Sequence, residues 1–126
     1  MDKKPTQYSL VAEKAYKYML ENKMDAGKAW DRAARDLISS EESRKKGCPR
    51  NTFIGICNSG SLNNIGPIPG NDSINFQYAQ FAIDAWKKNK GISKTDMWKQ
   101  VVSHFNKAKG HQGQLDVVLG LERYLK

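Results

Sequence analysis

The chain has 126 residues and a formal net charge of +8, from 21 Lys and Arg against 13 Asp and Glu. This length fits one domain that buries about two-thirds of its unfolded surface, and 39% hydrophobic residues suffice for a core. No apolar run approaches the ~20 residues of a membrane span, and the N-terminus MDKKPTQYSL has no apolar segment of a secretory signal. We therefore expect no membrane association, and reduced thiols at Cys48 and Cys57 in a cytoplasmic protein.

Two amphipathic helices are predicted in the first part of the chain. Residues 6–22 form the first, because apolar residues recur at intervals of three and four and Thr6 is a suitable N-cap. The second helix begins near Asp25 and extends to about Ser39. The apolar stripes are Tyr8, Val11, Ala15 and Tyr18 in the first helix, and Trp30, Ala33, Ala34 and Leu37 in the second.

The stretch RKKGCPRNTFIGICNSG, residues 44–60, joins a charged connection to a short apolar run. Pro49 suits the first turn of a helix, where its missing N–H loses no partner. A third helix is predicted from Arg50 to about Cys57, and Gly60 is expected to end it. Gly55, inside this helix, indicates a close backbone approach, or else a helix end or bulge.

The second part of the chain repeats this plan after a linker. Residues 63–72, NNIGPIPGND, are predicted to be that linker because of their prolines and glycines, and Asp72 or Ser73 caps the next helix. Ser93 and Asp96 form a capping box before a fifth helix, and a sixth runs through LDVVLGLERYL. The short runs FIGI and VV leave a small β element open. The apolar stripe of the fourth helix is Phe76, Ala79, Ile83 and Trp86.

A shift of 68 residues aligns the helices of the two halves, placing Trp30 on Trp98. A shift of 65 places FIGI, with Gly55, on VLGL, with Gly120. We therefore predict an all-α fold of six helices in a single domain, built from two similar three-helix halves related by a pseudo-two-fold axis. The halves are residues 6–62 and 73–125. The matching glycines are expected where the two third helices cross.

Two segments carry a resemblance to a known family. They are KGCPRNTFIGIC, residues 46–57, and GQLDVVLGL, residues 113–121, and they occur together and in order. With the helical plan around them, they resemble an uncharacterised family of small bacterial and phage proteins, a domain of unknown function. The resemblance implies a single helical domain and supplies no activity, cofactor or site residue.

The basic stretch has a first interpretation as an anion or partner site. Gly47 and Cys48 place backbone N–H groups at the positive end of a helix dipole. Four cations surround this helix start: Arg44, Lys45, Lys46 and Arg50. A second basic group, predicted where the fourth and fifth helices meet, consists of Lys87, Lys88, Lys90 and Lys94. The alternative is that the basic stretch binds nothing and is a solvated, charged connection between two helices.

A second interpretation is a catalytic thiol. Cations beside a helix start favour the thiolate of Cys48, and His111 lies near the start of the matching helix as a candidate base. His104 is interpreted as a helix-face residue, and Cys57 as a small buried hydrophobe. The cysteines are nine positions apart and the histidines seven, unlike zinc-site spacings, and nucleotide-binding motifs are missing. We therefore predict no metal and no cofactor.

These observations favour a small, basic, non-enzymatic binding module that acts through a protein partner, with charge favouring an acidic one. Direct nucleic-acid binding is the alternative, because helical DNA-binding domains are small and basic and the two halves could mimic a dimer. A small enzyme that uses Cys48 is the second alternative.

Overall fold

Regular structure in the described part of the chain is helical. The structure is a computed structural model that describes residues 6–65, 74–105 and 113–126. Within these ranges the helices are α1 (Gln7–Asn22), α2 (Ala26–Leu37), α3 (Glu41–Arg44), α4 (Gly47–Asn58), α5 (Ile74–Lys88), α6 (Lys94–Phe105) and α7 (Gln114–Leu121), followed by a 3-10 turn at Glu122–Tyr124. The predicted all-α single domain is confirmed.

Side-chain caps fix the beginnings of α1 and α2. Thr6 accepts a hydrogen bond from the backbone N–H of Ser9 at 3.2 Å, and Ser9 Oγ accepts one from the Thr6 N–H at 2.8 Å. The carboxylate of Asp25 accepts one from the N–H of Lys28 at 2.9 Å. These bonds satisfy N–H groups that have no partner inside the helix. The predicted Thr6 cap is confirmed, and so is the predicted start of the second helix near Asp25.

The segment between α2 and α4 differs from the prediction. The charged connection contains the short helix α3, capped by Ser40, and α4 begins at Gly47 rather than at Arg50. The earlier start is possible because no N–H in the first turn has an intrahelical acceptor, so Pro49 is tolerated two residues inside the helix. Gly60, with a φ of +79°, ends α4 as predicted.

The C-terminal segment returns to the end of α4. The helix α7 ends at Leu121, earlier than predicted, and the chain continues through the 3-10 turn. Leu62 and Leu125 form an isolated antiparallel bridge, which is the β pairing found within the described ranges. The backbone N–H of Asn63 donates to the carbonyl of Tyr124 at 2.8 Å. The FIGI and VV runs are helical, so neither forms a strand.

Of the two helix caps predicted in the second half, the structure describes one. Ser93 Oγ accepts a hydrogen bond from the Asp96 N–H at 3.1 Å before α6. The other predicted cap, Asp72 or Ser73, lies outside the described residues, as do linker residues 66–72.

Two helical glycines mark close approaches between the halves. A Cβ at Gly55 would lie 2.5 Å from the Cβ of Phe76 in α5, and a Cβ at Gly120 would lie 2.2 Å from the backbone oxygen of Ser9 in α1. The predicted close approach is therefore present, but the neighbours are α5 and α1 rather than the other glycine helix. Such reciprocal contacts favour the internal repeat, which stays a prediction.

The aligned tryptophans have different surroundings. Trp30 is 1% exposed, and its ring centroid lies 5.4 Å from that of Phe53 in α4. Trp98 is only half-buried and contacts Tyr78 edge-on at 5.9 Å. The core is therefore more completely closed around α2 than around α6.

Candidate functional site

The basic stretch lies at the junction of α3 and α4. Lys45 and Lys46 are exposed, and Lys46 occupies the N-cap position of α4 without a side-chain cap bond. The hydroxyl of Tyr8 donates to the carbonyl of Ser43 at 3.1 Å and holds this junction against α1. The four cations lie within three residues of the start of α4, and their role as an anion or partner site stays a prediction.

Two of the predicted cations have carboxylate partners. Arg50 donates to both oxygens of Asp31 in α2, from Nε at 2.9 Å and from an η nitrogen at 3.2 Å. Lys45 pairs with Glu41 at 2.9 Å in a highly exposed ion pair. Arg50 thus links α4 to α2 through its ion pair with Asp31. Because Arg50 and Lys45 are both paired, less positive charge is available to an external anion than the sequence suggests.

Arg44 and Lys46 remain as the cations of this junction. The Arg44 Nε is buried, with no hydrogen-bond partner among the described residues. Lys46 has no carboxylate within salt-bridge distance in the same part of the chain.

The starts of α4 and α7 lie side by side, as the repeat predicts. A Cβ at Gly113 would lie 3.3 Å from the Cβ of Pro49 and 3.0 Å from the Tyr8 ring. Cys48 is half-buried in the first turn of α4. His111, the candidate base, lies outside the described residues, so the predicted thiol and imidazole pair stays a prediction.

Cys57 is a buried hydrophobe in structural terms. Its side chain is fully buried, and its Sγ lies 3.6 Å from the Sδ of Met19. Burial raises the pKa of this thiol to about 12, so it stays protonated at neutral pH. His104 is exposed on α6, where its ring stacks on Phe81 at 4.5 Å. Its predicted position on the helix surface is thus observed.

The second basic group lies at the C-terminal end of α5. Lys87 and Lys88 are exposed in the last turn, where cations favourably meet the negative end of the helix dipole. The Lys90 Nζ lies 5.3 Å from the centre of the Trp86 ring. The Trp86 indole N–H donates to the Glu122 carboxylate at 3.3 Å, which joins this corner to the 3-10 turn.

A groove of about 290 Å³ opens beside Trp86. We call it the Trp86 groove. Its lining residues are Ser9, Leu10, Glu13, Trp86, Leu119, Gly120, Glu122 and Arg123. Leu10 is 46% exposed although it is a large apolar residue. Sequence reasoning missed Leu10, Leu119 and Arg123. A signal was available for Leu10, an apolar residue that lies off the stripe of Tyr8 and Val11.

The two basic groups lie near opposite ends of α7. The α3–α4 junction is beside its start, through Pro49 and Gly113, and the Lys90 corner is beside its end, through Trp86 and Glu122. Eight helical residues rise about 12 Å, so the structure does not merge the groups into one site.

The described residues contain no group of three or more His, Cys, Asp or Glu side chains that could hold a metal ion. Of the helices in these ranges, none combines the length and apolar character needed to span a membrane.

The described residues define a small all-α protein with two separate basic corners and an open groove beside Trp86. Residues 5–124 match the sequence model of a family of unknown function, DUF6979. The chain belongs to this family, which confirms the expectation of a domain of unknown function. Comparisons with curated proteins and with solved structures find no match.

Proposed function

We propose that this chain is a small non-enzymatic binding module that holds an acidic segment of a protein partner in the Trp86 groove. The observation that carries the proposal is accessible apolar surface with cations beside it. Leu10 and Leu119 supply that surface next to Trp86, Arg123 is part of the lining, and the Lys90 Nζ lies 5.3 Å from the centre of the Trp86 ring. Exposed apolar surface with a polar rim is typical of protein-binding sites.

The charge at the groove supports an acidic partner. Its two carboxylates already have partners within the chain, because Glu122 accepts the Trp86 N–H and Glu13 pairs with Lys17 at 3.4 Å. Lys87 and Lys88, next along α5, have no carboxylate within salt-bridge distance in the described ranges. Positive potential beside such a surface steers carboxylates toward the groove and selects against basic partners.

The size of the groove favours a protein segment over a cofactor. Its volume of about 290 Å³ is at the lower limit of small-molecule pockets, which enclose roughly 300–1,000 Å³. An apolar anchor side chain from a partner would fill such a hollow, as the central residues of protein interfaces do. We place this binding in the cytoplasm, as the sequence predicts, where thiols such as those of Cys48 and Cys57 stay reduced.

The proposal is tested with a fluorescein-labelled amphipathic peptide that carries leucines on one face and glutamates on the other. Anisotropy should show binding that weakens at least about tenfold when Lys90→Glu and Arg123→Glu are combined. The matched control combines Lys45→Glu and Lys46→Glu, which change the net charge equally at the other corner. Equal weakening by both double variants, or equal binding of a peptide with glutamines in place of glutamates, would show that the groove does not select acidic segments.

Direct nucleic-acid binding is the second candidate, supported by the exposed Lys46 and Gly47 at the start of α4. Labelled duplex DNA and single-stranded RNA are offered to the same variants at low and near-physiological salt. Binding that persists at the higher salt and is lost with Lys45→Glu and Lys46→Glu would favour phosphate contacts there. Binding that disappears with salt in every variant would reflect net charge alone and would remove this candidate.

A further inference from the structure

The outer face of α1 carries apolar residues that the fold leaves uncovered. In the described ranges, the exposed large hydrophobic side chains are Leu10, Leu20 and Leu37, at 46%, 41% and 43%. Two of them lie on one stripe of α1 with two charged residues between them. This stripe, which we call the α1 face, is Leu10, Glu13, Lys17 and Leu20. Spacings of three, four and three are those of the a and d positions of a coiled coil.

The α1 face is complementary to itself when two copies run antiparallel. A two-fold axis at the level of Ala15 places Leu10 opposite Leu20 of the partner subunit. The same axis places Glu13 opposite Lys17 of the partner subunit. Each pair occurs twice, as an isologous interface requires. Two leucine layers then enclose two layers of opposite charge, and these charges fix the register.

Local charge also favours a second copy over an acidic partner on this face. The chain carries +8 overall, yet Glu13 and Lys17 cancel each other, and the neighbouring Lys14 pairs with Asp36 at 3.3 Å. Two neutral faces can therefore approach without the repulsion that the net charge would cause elsewhere.

The surface beside α1 has room for the leucine of a second copy. A hollow of about 350 Å³ lies between Leu10 and Leu37, and Glu13, Lys14 and Lys17 complete its lining. Leu20 of the partner subunit would enter this hollow in the antiparallel arrangement. The contact would then cover all three of the exposed leucines.

We propose that two copies of this chain associate through antiparallel α1 helices, with Leu10 against Leu20 and Glu13 against Lys17. The contact is small, because sixteen residues of helix extend only about 24 Å, whereas stable interfaces bury roughly 800 Å² per partner. A weak, concentration-dependent dimer is expected. The inference is independent of the proposed function. Leu10 and Glu13 belong to both surfaces. Leu10 is therefore left unchanged in the tests, and Lys17 and Leu20, which do not line the Trp86 groove, separate the dimer from the proposed function.

Sedimentation equilibrium tests the dimer at protein concentrations from about 10 µM to about 1 mM. The wild-type chain should approach twice the monomer mass as concentration rises. Glu13→Lys alone and Lys17→Glu alone should each weaken association at least about tenfold, because like charges then face each other. Leu20→Lys should do the same. Lys28→Glu, on the exposed surface of α2, changes charge as Lys17→Glu does and should leave the dimer intact.

Mixing the two singly reversed chains separates this interface from an effect within one helix. Each chain lacks its own Glu13–Lys17 pair, but antiparallel association places lysines of one chain opposite glutamates of the other. The mixture should therefore recover the dimer, while circular dichroism shows unchanged helix in each variant. A monomer at every concentration, a wild-type dimer insensitive to Leu20→Lys, or a mixture that stays monomeric would overturn the proposal.

Discussion

Gly120 lies so close to α1 that a single methyl group there should destabilise the domain. The Cβ of Gly120→Ala would lie 2.2 Å from the backbone oxygen of Ser9, so α1 and α7 would have to separate by about 1 Å. Overpacking costs about 1–3 kcal/mol, and the upper part of that range applies because a backbone atom cannot rotate away. Alanine returns about 1 kcal/mol through its higher helix propensity. We expect a net loss of about 2 kcal/mol in the free energy of unfolding.

Urea and thermal denaturation followed by circular dichroism measure this loss, and the melting temperature should fall by roughly 8 °C. Gly47→Ala is the matched control, because its Cβ would meet only the Asn51 Nδ2, at 3.7 Å. That variant should be unchanged, or stabilised by up to about 1 kcal/mol. If Gly120→Ala were as stable as the wild type, helix propensity would dominate and the close contact between α1 and α7 would be wrong.

Two further predictions concern side chains. Near pH 8, a disulfide reagent should modify Cys48 in the folded protein, whereas Cys57 should react only after unfolding. Burial raises the pKa of the Cys57 thiol to about 12, so its reactive thiolate forms only around that pH. Rapid modification that persists in Cys48→Ser would contradict the assignment of the reactive thiol to Cys48. Modification of Cys48 far faster than that of a free thiol would instead support the alternative of an enzyme that uses Cys48. Lys94→Ala should cost about 2 kcal/mol in urea denaturation, because it removes the partner of the buried Asp116 carboxylate, whose side chain is 10% exposed. Lys45→Ala, whose side chain is 74% exposed, should change stability by less than about 0.5 kcal/mol, and equal losses in the two variants would refute the argument from burial.

The candidate site was only partly predictable from the sequence. The exposed lysines at the end of α5 and the cations around the start of α4 are where charge patterning puts them. That Arg50 is held by Asp31 could not be foreseen, because nineteen residues separate the two and only the crossing of α2 and α4 brings them together. The Trp86 groove was missed for the same reason, since α1, α5, α7 and the 3-10 turn each contribute to it.

The sequence alone determined the helices and several of their ends. Thr6 and Asp25 cap helices through bonds to residues only three positions away, and Gly60 ends α4 through its own φ, so these features depend on local chemistry. The tertiary structure decided which apolar residues are covered. Trp30 and Trp98 occupy aligned positions in similar helices, yet the first is buried by Phe53 and the second stays half-exposed. Burial depends on how distant helices cross, and many small contacts spread over the whole core set that crossing.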